Sequence, residues 1–215
     1  MIRGIYAAAS GMVLQMQTVD VLAHNLANAA TNGYKRREAV AESFGDLVVD
    51  ILDSVPEADN KTGAGVRLAE VGRDERSGNL RPTGNPLDLG LISEGHYFVT
   101  QRRDGTRLLT RDGQFYLDDQ LHLVTAQRAY VLDAAGNPLV LKEDLRNIKI
   151  REDGTILGAE AEIGKLLVVA LSPAQLPYFP LLAPNIPPAE KVVMKQGYLE
   201  TSNVNIITEL VSLVE

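Results

Sequence analysis

A chain of 215 residues with 45% hydrophobic content is long enough for one sizeable domain or two small ones, each with its own core. A net charge of −7 argues against nucleic acid or an anionic membrane surface as the main partner, and the absence of cysteine rules out disulfide frameworks and thiolate metal sites. No apolar run reaches the roughly 18 residues needed to cross a bilayer, and the N-terminus lacks the cationic head, apolar middle and small-residue cleavage site of a secretory signal.

Residues 1–33 read as one long helix. Apolar or small residues fall at Ile2, Ile5, Ala9, Met12, Met16, Val19, Ala23, Leu26 and Ala30, in alternating steps of 3 and 4, the heptad seam of a helix that packs on another helix. No proline interrupts the run, and Asn32-Gly33 offers a stop, because both residues tolerate the left-handed conformation that closes many helices. A helix of about 28 to 30 residues would be about 42 to 45 Å long. Its seam is light. Ala9, Ala23 and Ala30 add little apolar bulk, and Gly11 costs about 1 kcal/mol relative to alanine, so the helix is expected to fray until a partner covers it. Asn25, Asn28 and Asn32 share one face, either as a hydrated polar stripe or as a device that fixes helix register.

Residues 34–79 read as an acidic helix and a linker. The basic run Lys35-Arg36-Arg37 precedes a helical pattern from Glu38 to Asp53, with Val40, Phe44, Leu47 and Ile51 on one face. Glu38, Glu42, Asp46 and Asp50 line another, a like-charge spacing that weakens an isolated helix. That face is either solvated or met by a basic surface of a neighbouring subunit, for which the Lys-Arg-Arg run is a candidate. Pro, Asp, Asn, Lys, Thr and Gly from Ser54 to Gly65 mark a loop, and Gly63-Ala64-Gly65-Val66-Arg67 opens an extended segment.

Residues 80–172 read as an antiparallel β domain. Leu87, Leu89 and Leu91 alternate with Asp88 and Gly90 as in a half-buried strand. Tyr97–Gln101 and Thr106–Thr110 flank Arg102-Arg103-Asp104-Gly105, a hairpin signal. Turns fall at Asp112-Gly113, Ala135-Gly136-Asn137 and Asp153-Gly154, with strands near 121–125, 128–132, 147–150, 155–158 and 165–171. No catalytic or cofactor constellation emerges. His24, His96 and His122 are too scattered for a metal motif, no Gly-x-Ser-x-Gly nucleophile is present, and Asp104, Asp112, Asp133 and Asp153 sit at or near turn glycines.

Residues 173–199 form a return segment in which Pro173, Pro177, Pro180, Pro184, Pro187 and Pro188 favour an extended path. A last helix over 200–215 begins near Asn203 as cap, and Val204, Ile207, Val211 and Val214 repeat the steps 3, 4, 3. Two seams of one period at opposite termini pair with each other, with neighbouring copies, or with both. The expected fold is α+β and mainly β: a central antiparallel β domain with N- and C-terminal helices that pair in coiled-coil fashion.

Residues 23–35 resemble the N-terminal signature of bacterial flagellar axial proteins, the rod and hook subunits of the basal body. Gly197-Tyr198-Leu199-Glu200-Thr201-Ser202-Asn203-Val204-Asn205 supplies a second anchor, and Thr110-Arg111-Asp112-Gly113-Gln114-Phe115 a third. The resemblance implies a structural subunit exported without a cleaved signal, through the flagellar export apparatus, that stacks with its own copies and with other rod and hook subunits into a hollow shaft carrying torque. It implies no cofactor. The interface expected from this reading is Ile5, Met12, Met16, Val19 and Leu26 meeting Val204, Ile207, Val211 and Val214, with Asn25, Asn28 and Asn32 setting register.

Hook subunits usually carry a larger insertion, so the compact chain points to a rod type. Its proximal and distal forms share all three anchors. Family members usually continue the last helix for a few more turns, so the resemblance implies a truncated or unusually short chain. Where the family favours turn glycines this chain has Leu121 and Arg128, so those loops are expected to change shape, and Tyr97 brings a hydroxyl that needs a partner. From a different class, the alternative is a secreted β-domain binding module or adhesin oligomerised by its terminal helices.

Overall fold

The structure, a computed structural model, describes residues 2–43, 65–141, 148–159, 161–171 and 187–214. The chain divides into two compact units, one of Met1–Ala29, Arg36–Asp74 and Val204–Glu215, the other of Ala30–Lys35 and Glu75–Asn203.

In the first unit α1 (Ile2–Ala27) is a single helix of 26 residues. It stops before Asn32-Gly33, because the amides of Asn28 and Ala29 already turn back onto the carbonyls of Asn25 and Leu26 at 3.1 and 3.2 Å. Gly33 does take the left-handed conformation, with φ of 64°, but in a turn further along the chain.

Strands β1 (Arg37–Ser43) and β2 (Val66–Arg73) form an antiparallel ribbon with a bulge at Val40/Ala41. The helix expected from Glu38 is therefore a strand as far as Ser43, and its continuation over 44–53 lies outside the described residues, as does the loop over 54–64. Pairing explains the outcome. Glu42 stands opposite Arg67 with 3.1 Å between their charged groups, and a cross-strand pair of opposite sign adds to the ladder where a helix would stack like charges.

Helix α1 packs on this ribbon, and Ala7, Ser10, Leu14, Thr18, Val21 and Leu22 are among its half-buried or buried positions. Ser10 Oγ accepts the amide of Val66 at 3.2 Å and donates to the carbonyl of Ala7. Helix α2 (Ile206–Val214) completes the unit. Its cap is Asn205, whose Oδ1 accepts the amide of Ile207 at 3.0 Å, rather than the expected Asn203.

The second unit carries β3 (Leu80–Pro82), β4 (Leu89–Leu91), β5 (His96–Gln101), β6 (Arg107–Thr110), β7 (Phe115–Leu117) and β8 (Leu123–Thr125). There follow β9 (Tyr130–Val131), β10 (Lys149–Ile150), β11 (Thr155–Leu157), β12 (Glu162–Lys165), β13 (Val168–Ala170), β14 (Met194–Gln196) and β15 (Tyr198–Glu200). All pair antiparallel. The main sheet runs β13-β5-β9-β8-β7, with β6 on the other edge of β5. Beside it lie a three-stranded sheet, β10-β11-β12, and two ribbons, β14-β4 and β15-β3.

Period-two alternation places the core. Phe98 on β5 joins one cluster with Leu89, Phe115, Leu123, Ile156 and Met194, while Tyr97 and Val99 join a second with Leu109, Leu132 and Val169. The rings of Phe98 and Phe115 meet edge to face, 5.1 Å apart at 83°. The Tyr97 hydroxyl finds its partner by donating to the carboxylate of Glu75.

Several expectations need correcting. β4 is buried on both faces, with Leu89 and Leu91 in the core and Gly90 against Leu80 and Tyr198, and the preceding Asp88 is buried as well. The segment 165–171 is two strands broken at Leu166-Leu167, and the return segment carries β14 and β15, while its residues 172–186 lie outside the described residues. Leu121 and Arg128 adopt the positive φ that a turn glycine would take freely, 64° and 59°, so the backbone carries the cost of a side chain there.

Candidate assembly interface

The seam read from the sequence is not the face α1 uses inside its own chain. Positions 7, 14, 18 and 21 are each two residues beyond Ile5, Met12, Met16 and Val19, and two residues turn a helix by about 200°. Ile5, Met12, Met16 and Val19 are accordingly exposed, Met16 by 69%, while Leu26 is half-buried. On α2 the pattern repeats: Ile206, Ile207, Leu210, Val211 and Val214 are exposed, Ile207 by 74%, and Val204 is half-buried. Contiguous exposed apolar residues of this size mark surfaces meant to be covered.

Within the chain a buried polar contact links α1 and α2. Asn25, fully buried, donates from Nδ2 to Glu209 Oε2 at 3.0 Å and to the carbonyl of Arg37 at 2.8 Å. Its Oδ1 accepts the amide of Arg37 at 2.9 Å. The other oxygen of Glu209 takes Arg36 Nε at 2.5 Å. Asn25 thus fixes α2 and β1 against α1, an alignment role met by the chain itself. Asn28 bonds back to His24, and Asn32 is half-buried past the helix.

A second buried network lies in the β unit around Glu200. Its Oε1 accepts Lys35 Nζ at 2.9 Å and the amide of Gly78 at 2.8 Å, and its Oε2 accepts Arg111 Nε at 2.5 Å. All three side chains are buried. The remaining protons are used as well. Lys35 donates to the carbonyls of Glu75 and Arg76, and Arg111 to the carbonyls of Leu91, Ser93 and His96 and the hydroxyl of Ser77. Three ammonium and five guanidinium N–H groups are all satisfied, which a buried charge requires. Two glycines permit the close approach: a Cβ on Gly33 would lie 2.6 Å from the backbone of Arg111, and one on Gly78 1.9 Å from the carbonyl oxygen of Thr201.

Residues 5–35 match a family model described as "Flagella basal body rod protein", residues 91–158 one described as "Flagellar hook protein FlgE/F/G D1 domain", and residues 195–215 one described as "Flagellar basal body rod FlgEFG protein C-terminal". A flagellar basal-body rod protein FlgG of Borreliella burgdorferi is 31% identical across all of this chain and 89% of its own length. The chain belongs to the flagellar basal-body rod protein family. A FlgG of Agrobacterium fabrum is 30% identical over 99% of this chain and 89% of its own, and a FlgF of Caulobacter vibrioides 27% over 98% and 86%.

Each of the three matched segments supplies one member of the Glu200 network: Lys35 from the first, Arg111 from the second and Glu200 from the third. From the sequence, Lys35 and Arg36 stood out only as part of a basic run to be met by an acidic face of a neighbouring subunit, and Arg111, Glu200 and Glu209 did not stand out as interacting residues. Glu209 had the clearest signal, as an acid inside the apolar run of α2. Burial, and then the charge of Arg111, pushes the Lys35 ammonium below its ordinary range, against the pull of Glu200. The hydrogen bond to Glu209 holds Arg36 firmly charged. Among the described residues of this rod protein no group of three or more His, Cys, Asp or Glu could hold a metal ion, and no helix is long and apolar enough to cross a membrane.

Proposed function

We propose that this chain is a structural subunit of the bacterial flagellar basal-body rod, whose copies stack helically, with other rod and hook subunits, into the hollow shaft that passes torque to the hook. The observation that carries the reading is the outward apolar seam on both helices. Ile5, Met12, Met16 and Val19 on α1, and Ile207, Val211 and Val214 on α2, keep heptad spacing yet are exposed in a single chain. Seams of neighbouring copies cover one another in coiled-coil fashion, with Leu26 and Val204 at their buried ends. Contacts between unlike surfaces propagate into an open helical array.

The subunit reaches the envelope through the flagellar export apparatus. The β unit adds lateral contacts. The test is incorporation of tagged chain into basal bodies of cells lacking the native subunit. Wild-type chain enters the rod, and a Met12→Glu/Met16→Glu chain, folded to the same degree, does not. Incorporation of both alike would refute the seam as the interface.

A further inference from the structure

We propose that Glu200 gates closure of the β unit, so that Lys35 and Arg111 are not buried together until the carboxylate at position 200 joins them. Among the described residues, Glu200 is the one carboxylate that either cation bonds, and their other partners are neutral carbonyls and a hydroxyl. Glu75 lies near Lys35 as well, but its carboxylate takes the Tyr97 hydroxyl and its pull on Lys35 ranks below that of Glu200. Two buried like charges without an anion repel each other and lose their hydration, so a closed unit lacking Glu200 is disfavoured.

Position in the chain turns this into an ordering device. Glu200 rides on β15, the last strand, opposite Leu80 of β3, next to the buried Leu199. The segments that frame the network close on the same stretch: Gly33 donates to the carbonyl of Glu200, the Asn203 amide to the carbonyl of Tyr34, and Thr201 to the carbonyl of Asn79. A chain threaded or synthesised N-terminus first has β4 to β13 in hand long before residue 200 arrives. Its two cations keep the unit open until then. The inference concerns how the unit closes and stands apart from what the chain assembles into.

Two experiments on the full chain test it. In pulsed hydrogen exchange during refolding, the amides of β5 and β6 gain protection in the same phase as those of Tyr198–Glu200. Protection of β5 and β6 in a phase tenfold faster would overturn the proposal. In native exchange, Glu200→Gln lowers protection of β5 and β6 at least tenfold, and adding Lys35→Met to that variant recovers part of it by removing one uncompensated cation. Wild-type protection in Glu200→Gln, or no recovery in the double variant, would also overturn it, since a loss of packing alone gives no rescue.

Discussion

Asn25 on α1 and Glu209 on α2 meet through a 3.0 Å hydrogen bond between side chains 0% and 1% exposed. A buried amide–carboxylate contact thus links the helices at opposite ends of the sequence, while Ile5, Met12, Met16 and Val19 on α1 and Ile207, Val211 and Val214 on α2 stay exposed. Asn25→Ala removes three hydrogen bonds and orphans the Arg37 amide. A loss of about 2 to 4 kcal/mol is expected, read as faster exchange across α2 and β1.

The exposed seam behaves oppositely. Met16 is 69% exposed, so Met16→Glu leaves the unfolding free energy within about 0.5 kcal/mol of wild type. Assembly is lost all the same. Sedimentation of polymer against a denaturant titration separates the two effects.

Leu121 and Arg128 hold left-handed backbone that glycine adopts freely. An L-residue there costs about 1 to 2 kcal/mol, and the extra entropy of an unfolded glycine returns part of that. Leu121→Gly and Arg128→Gly each stabilise by about 0.5 to 1 kcal/mol, measured by urea denaturation.

Burial holds the Asp112 carboxyl above the ordinary 3.8, helped by Asp88 and opposed by the amide of Gln114. The folded state therefore binds its proton more tightly than the unfolded state. Its stabilising contribution is present below 3.8 and is lost as pH rises through the raised value, so at neutral pH the ionised group is a cost. Asp112→Asn keeps an oxygen for the Gln114 amide, 3.0 Å away, and raises the urea midpoint at pH 7. The gain shrinks toward zero near pH 4.

The period of α1 was legible from apolar spacing, but its direction was not. Spacing identifies a face to be covered without saying by what, and the small, polar face at Ser10, Thr18 and Asn25 is the one the chain uses for itself. The hairpin at Asp104-Gly105 was legible because its turn chemistry is local. β1 was not, since its strand state comes from β2, more than twenty residues away. Lys35, Arg111 and Glu200 lie in three separate motifs, and nothing in one sequence says that three motifs converge.

If neighbouring subunits cover one another's outward seams, a thiol placed there is accessible in the free subunit and shielded in the rod. The chain has no cysteine, so Met16→Cys gives one thiol on that seam. Its rate of reaction with a soluble maleimide is measured on the free subunit and on assembled rods. The account predicts fast labelling of the free subunit and at least tenfold slower labelling after assembly. Equal rates in the two states would contradict it.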